Sequence, residues 1–136
     1  MIKRWASGKI TLSLEEDMIE FGDTLSFSLD ALPLSLNNLY PNGSHGKRFK
    51  TPKAKELLQL IALQTRGVHL DGEAFSLSLL FHFPDRRRHD SSNYCKHIED
   101  CLVELGVIAD DNLITEHILR KTAGLARTDV VLVKLA

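Results

Sequence analysis

The sequence predicts an α+β fold, a single compact domain in which a small mixed β-sheet packs against two main helices. Two segments alternate apolar and polar residues with the period of a half-buried strand, and two others carry apolar residues at helical spacing. The chain has 136 residues, of which 43% are hydrophobic, so it can bury one core, and two independent domains are not expected.

The first part of the chain supplies one strand and a long loop. Residues 1–23 are predicted to be an appendage to a domain at 24–136, with Lys9–Leu14 as a candidate extra strand. Thr24–Leu29 alternates apolar and polar residues, which predicts a strand with one buried face. Pro33–Lys50 contains glycine, proline and several asparagines, which predicts a long exposed loop.

The middle of the chain supplies a helix and a second strand. The helix begins at Thr51, followed by Pro52 at a position that suits proline, and it closes at Gly67. Phe75–Phe83 then places phenylalanine and leucine at every second position. This alternation predicts a second strand with one buried face.

The last third of the chain supplies a helix and two strands. The second helix is predicted at Ser91–Leu105 and ends at Gly106, a residue suited to the left-handed conformation that closes helices. Ile114–Lys121 carries a weaker strand pattern. Asp129–Leu135 is rich in valine and leucine on both faces, which predicts a strand that lies in the interior of a sheet or is covered on both sides.

Charge and cysteine usage exclude several classes of protein. The formal net charge is −1, from 17 basic and 18 acidic residues, so nucleic-acid binding would require local charge segregation. Cys95 and Cys101 are six residues apart in one predicted helix, a spacing that allows neither a disulfide between them nor a CxxC motif. No run of about 18 apolar residues occurs. We therefore expect a cytoplasmic protein without a membrane span.

The second predicted helix has one face for packing and one face for chemistry. Its apolar stripe consists of Tyr94, Ile98, Cys101, Leu102 and Leu105. Its polar stripe consists of Asn93, Lys96, His97, Asp100 and Glu104. Cys95 lies off the packed stripe, and His89 and His97 have no third His or Cys at ligand spacing, so no zinc site is predicted.

Carboxylates flank the polar stripe of this helix. Asp90 precedes the helix and the Asp110–Asp111 pair follows it, where a strand, a helix and a return loop could bring them together. Mg²⁺ prefers carboxylate ligands, and Lys96 on the same face could stabilise charge on a phosphodiester. The alternative is an ordinary polar helix face, with Lys96 and Asp100 as an i, i+4 ion pair and Asp90 as a cap.

Two basic segments stand out in a chain that is nearly neutral overall. Residues 45–56 carry a local net charge of +4, and the loop residues among them are Lys47, Arg48 and Lys50. The second cluster lies directly before His89 and Asp90 and consists of Arg86, Arg87 and Arg88. Each cluster alone fits a solvated loop, whereas the two together indicate a phosphate backbone as ligand.

One stretch of the chain carries a specific spacing of charged residues. It consists of Pro84–Asp90, Asn93, Lys96, Asp100 and Asp110–Asp111. This stretch resembles the signature of the RusA family of Holliday junction resolvases. The resemblance covers Thr24–Ala136.

The resemblance implies a homodimeric endodeoxyribonuclease that resolves four-way DNA junctions in recombination and repair and is often encoded by prophages. Its implied cofactor is Mg²⁺, with Mn²⁺ as a substitute. By position, Asp90 and Asp111 would be metal ligands and Lys96 the catalytic lysine, while Asp110 and Asp100 are further candidate ligands. The DNA contacts are expected from Lys47, Arg48, Lys50, Arg86, Arg87, Arg88 and Asn93.

Ser92 departs from the family pattern, which has a second acidic residue at this position, two residues after Asp90. A serine hydroxyl coordinates weakly and carries no charge, so weaker metal binding and catalysis are expected unless Asp100 or Asp110 substitutes. Two alternatives stay open. One is a junction-binding protein with weak or no activity, and the other is a metal-dependent nuclease that acts on other branched DNA.

Overall fold

The computed structural model describes residues 23–39 and 51–135 and confirms the predicted α+β class. Its strands are β1 (Thr24–Leu29), β2 (Phe75–Phe83), β3 (Ile114–Ala123) and β4 (Arg127–Lys134). Its helices are α1 (Leu36–Leu39), α2 (Pro52–Gln64) and α3 (Ser92–Glu104), with a 3₁₀ turn at Asp111–Leu113. The candidate strand Lys9–Leu14 lies outside the described residues.

The described strands form one mixed sheet in the order β1-β4-β2-β3. β4 pairs antiparallel with both β1 and β2, so it lies inside the sheet, as its apolar residues on both faces predicted. β2 and β3 are parallel neighbours. Parallel neighbours need a long crossover connection, and α3 supplies it.

One face of the sheet is buried beneath α2 and α3. The strand residues that form this buried face are Leu25, Phe27, Leu29, Phe75, Leu77, Leu79, Phe81, Phe83, Val130 and Leu132. The helices contribute Leu57, Ile61, Ile98 and Leu102 to the same core. Burial of one such side chain contributes about 1.5–3 kcal/mol, so this layer fixes both helices on the sheet.

Both long helices begin where the sequence indicates, and α3 also ends there, whereas α2 ends at Gln64, three residues before Gly67. Thr51 caps α2, because its Oγ1 accepts a hydrogen bond of 3.2 Å from the backbone N–H of Ala54. Gly106 follows α3 with a φ of +75°, the left-handed conformation that was predicted there. No helix in the described ranges is long and apolar enough to cross a membrane.

The predicted loop at Pro33–Lys50 requires a correction. Leu36–Leu39 forms a short helix, and Pro33 is buried immediately before it. The turn is closed by a 3.0 Å hydrogen bond from the backbone N–H of Asn38 to the carbonyl of Ser35. The first part of this segment therefore packs against the domain, while residues 40–50 lie outside the described part of the chain.

His97 lies in the core, so its assignment to the polar stripe of α3 is wrong. It is 3% exposed, and its Nδ1 accepts a hydrogen bond of 2.9 Å from the backbone N–H of Leu34. A further hydrogen bond joins His97 to the backbone of Ala54. Cys95 is also buried, at 7% exposed. Both residues border the apolar stripe within about 40° on the helical wheel, so the packed face is wider than its apolar residues indicate.

The burial of His97 makes the stability of the fold sensitive to acid. Burial lowers the pKa of His97 below its ordinary value of 6.5. The unfolded chain therefore binds a proton at a higher pH than the folded chain, and stability is lost as the pH falls through this range. We expect the free energy of urea unfolding to decline from about pH 7.5 to about pH 5.5, and His97→Gln to remove part of that decline.

His69 provides a matched control for this titration. It is exposed, and its hydrogen bond with the backbone of Gly106 raises its pKa, which is a shift of the opposite sign. The His69→Gln protein should therefore keep the decline of stability with acid. An equal decline in the wild-type and His97→Gln proteins would contradict the role assigned to His97.

Candidate active site

The outward face of α3 holds a lysine between two carboxylates. The ammonium Nζ of Lys96 lies 3.1 Å from Oδ1 of Asp100, one turn further along the helix. The same Nζ lies 2.6 Å from Oδ2 of Asp111, in the 3₁₀ turn before β3. We call these three side chains the carboxylate–lysine cluster. They are 23–30% exposed, so solvent and ligands can reach them.

The charges of this cluster are fixed by its hydrogen bonds. The bond from Lys96 holds the pKa of Asp111 below its usual range, and the same bond raises the pKa of Lys96. The cluster therefore keeps one ammonium and an ionised Asp111 at neutral pH. A depression of about 310 Å³ opens beside it and is also bordered by Asp110, whose carboxylate accepts a 3.0 Å hydrogen bond from the backbone N–H of Asn112.

Asp90 lies at the beginning of α3, where Ser92 holds its carboxylate. Oδ1 of Asp90 accepts hydrogen bonds from the hydroxyl of Ser92 at 2.7 Å and from its backbone N–H at 3.1 Å. These two bonds lower the pKa of Asp90 below its ordinary value of 3.8. A second depression, of about 590 Å³, is bordered by Asp90 together with Arg88, Asn93 and Lys121.

The two depressions lie along the same helix and are bordered by different carboxylates. Ser92 and Asp100 are eight residues apart, which is about 12 Å along the helix axis. Two ligands of one Mg²⁺ ion lie within about 4 Å of each other. Asp100, Asp110 and Asp111 border one depression, and Asp90 borders the other. Within residues 23–39 and 51–135, no three of these carboxylates come within 4.8 Å of one another.

Two residues to which the sequence assigned no role in the site, His89 and Lys121, shape the surroundings of Asp90. The ring of His89 stacks on Phe83 with ring centroids 3.9 Å apart, and its Nε2 forms a 2.6 Å hydrogen bond with Asp85. Lys121 donates a hydrogen bond to the backbone carbonyl of His89. Lys121 reaches this place because β3 pairs with β2 in a parallel register. No local sequence pattern reports that pairing.

The predicted DNA-binding residues that the structure describes are all exposed. They are Arg86, Arg87, Arg88 and Asn93. Arg87 and Lys53 line one depression between the end of β2 and the first turn of α2. The arginine cluster and the basic segment 45–56 therefore adjoin at Lys53. Lys47, Arg48 and Lys50 lie outside the described residues.

The fold and these charges define a small α+β protein whose surface suits phosphodiesters. Arginines and lysines provide cations for phosphate groups, and the neighbouring carboxylates provide only oxygen donors, which suit a hard divalent ion. Comparison with known protein families supports this description. A family described as Endodeoxyribonuclease RusA matches residues 42–133.

A known relative of the chain supports the same family. The chain is 33% identical over 110 residues to the crossover junction endodeoxyribonuclease RusA of Aquifex aeolicus (strain VF5). The aligned region covers 76% of this chain and 86% of the relative. The chain therefore belongs to the RusA family of endodeoxyribonucleases, which confirms the resemblance seen in its sequence.

Proposed function

We propose that this protein is a divalent-metal-dependent endodeoxyribonuclease that resolves Holliday junctions in DNA recombination and repair. The observation that carries the proposal is the carboxylate–lysine cluster, which lies on an accessible helix face in a chain of the RusA family. The relative from Aquifex aeolicus is named for action on crossover junctions. A four-way DNA junction is therefore the substrate that we assign to this chain.

Mg²⁺ is the cofactor in this proposal, with Mn²⁺ as a substitute. The donors present fit such an ion, because Asp100, Asp110 and Asp111 at one depression, and Asp90 at the other, offer only oxygen. When bound, the ion would supply an activated water and neutralise charge at the scissile phosphate. The position of Asp90 supports a ligand role, because its exposed carboxylate borders a depression that Arg88 and Lys121 also line.

Lys96 is the catalytic lysine in this proposal. Its raised pKa keeps it protonated at neutral pH, so it acts by its charge and not as a base. A fixed ammonium stabilises the negative charge that develops on a phosphate during hydrolysis. Asp100 and Asp111 contact this ammonium from two sides, so the side chain of Lys96 is already ordered before DNA binds.

The two basic segments are proposed to hold the arms of the junction. Arg86, Arg87, Arg88 and Asn93 are exposed, and Arg88 and Asn93 border the depression at Asp90. Arg87 shares another depression with Lys53, which follows the segment that carries Lys47, Arg48 and Lys50. Such contacts position the duplex without reading its sequence. A homodimer, which the family resemblance implies, would present two copies of this surface related by a two-fold axis.

The first test of this function separates cleavage from binding. Asp111→Asn preserves the size of the side chain and removes its charge, so Mg²⁺-dependent nicking of a four-way junction should fall by at least about 100-fold. Junction binding, measured without cleavage in Ca²⁺, should survive or tighten, because repulsion from phosphate is relieved. Asp30→Asn is the matched control, since Asp30 is an exposed aspartate outside both depressions and its loss should leave nicking unchanged. Parental cleavage by Asp111→Asn would refute the assignment.

The second test addresses Ser92 and the binding-only alternative. Ser92→Asp places a second carboxylate beside Asp90, so it should raise Mg²⁺-dependent nicking by at least about tenfold, equivalent to roughly 1.4 kcal/mol of transition-state stabilisation. Ser91→Asp adds the same charge one residue away and should give no such increase. Tight junction binding with no nicking by either the wild-type or the Ser92→Asp protein would favour the binding-only alternative.

A further inference from the structure

Three side chains of different chemistry meet between α3 and β3, away from the carboxylate–lysine cluster. Cys95 and Glu99 are one turn apart on α3, and His117 lies near the beginning of β3. The thiol sulfur, one carboxylate oxygen and one ring nitrogen all lie within 4.8 Å of one another. In the described ranges, this is the only group of three His, Cys, Asp or Glu side chains that is so close.

The contacts within this group converge on one carboxylate oxygen. The Sγ of Cys95 donates a hydrogen bond of 3.6 Å to Oε2 of Glu99, and Nε2 of His117 is in hydrogen-bond contact with the same oxygen. Cys95 is buried and the Glu99 side chain is 12% exposed, whereas the His117 side chain is 39% exposed. The group is therefore enclosed on the helix side and open to solvent on the side of His117.

The position of His117 follows from the sheet register. His117 pairs with Leu77 of β2, whose side chain is buried beneath the helices, so His117 faces the same layer as α3. Lys96 is the next residue after Cys95, and a step of one residue turns about 100° around a helix. Lys96 accordingly contacts Asp100 and Asp111, while Cys95 and Glu99 face β3.

The donor set and its spacing match one class of metal ion. Sulfur, imidazole nitrogen and a carboxylate oxygen are the ligands of Zn²⁺, whereas Mg²⁺ takes oxygen ligands. The bond lengths of tetrahedral Zn²⁺ place its ligand atoms about 3.5 Å apart. Sγ of Cys95 and Oε2 of Glu99 are already 3.6 Å apart. Nε2 of His117 lies closer than this to Oε2 of Glu99. A small outward movement of the exposed His117 would lengthen that distance to the spacing of two zinc ligands.

We propose that Cys95, Glu99 and His117 bind a borderline-soft divalent cation, of which Zn²⁺ is the type, at a site separate from the proposed Mg²⁺ site. The fourth coordination position faces solvent beside His117 and is taken by water. Binding replaces the thiol proton of Cys95, which is released to solvent. The ion clamps α3, which carries Lys96, onto β3, the outermost of the described strands on that side.

The thiol is the group that sets how strongly the site binds. Burial raises the pKa of the Cys95 thiol to about 12, so without an ion the sulfur is protonated and bonded to Glu99. A cation that prefers thiolate ligands offsets, by its own charge, the free-energy cost of deprotonating this buried thiol. An ion without that preference cannot do so, and the site therefore discriminates against Mg²⁺.

Cobalt provides a direct probe, because Co²⁺ occupies zinc-type sites and shows a near-ultraviolet charge-transfer band when a thiolate binds it. The untagged full chain, titrated with Co²⁺, should show this band with one equivalent bound. Zn²⁺ should abolish the band, and excess Mg²⁺ should not. Cys95 and Cys101 are the only cysteines in the chain, so a thiolate band has two candidate sources.

Matched variants identify the ligands. Cys95→Ser and His117→Gln should each lower Co²⁺ affinity by at least about 10-fold, as expected for loss of one metal ligand. Cys101→Ser is the control, since it removes the other buried thiol of the same helix and should leave the band intact. The side chain of His117 is partly exposed, so His117→Gln tests the proposal even if Cys95→Ser does not fold.

Three results would overturn the proposal. They are the absence of a thiolate band in the wild-type protein, a band that persists in Cys95→Ser, and a band that disappears in Cys101→Ser. The readout does not depend on cleavage, so it stands apart from the proposed nuclease function. The Asp111→Asn protein should keep the band, because Asp111 belongs to the other face of α3.

Discussion

The parallel pairing of β2 with β3 is the constraint on which the rest of this structure depends. Parallel neighbours cannot be joined by a tight turn, so the chain must cross back over the sheet, and α3 makes that crossing. The crossing places Asp90 at the beginning of the helix, Lys96 on its outward face and Asp111 on the return to β3. Because the core fixes the register, these side chains have little freedom to lie elsewhere.

α3 uses each of its faces for a different task. Ile98 and Leu102 are completely buried against the sheet. Lys96 forms ion pairs with both Asp100 and Asp111, so the charged side chains of the accessible face hold one another in place. The face toward β3 carries Cys95 and Glu99. A helix that is packed on one side and anchored at a strand on another keeps its outward residues in a fixed arrangement.

The sequence predicted what depends on local patterns and missed what depends on distant pairing. β2 was predicted to the residue, because apolar residues at every second position indicate a strand with one buried face. His97 was misplaced, because a polar residue beside the apolar stripe can be buried when a backbone N–H is available to it. The group at His117 and the place of Lys121 depend on the register between β2 and β3, which are separated by α3 in the chain.

The central claim is that this chain cleaves branched DNA at a site built on α3. The most direct measurement incubates the unaltered protein with Mg²⁺ and a labelled four-way junction, beside linear duplexes of the same arm sequences. The account predicts Mg²⁺-dependent nicks near the branch point and intact linear duplexes under the same conditions. A junction that stays intact while bound, or linear duplexes that are nicked as fast as the junction, would contradict it.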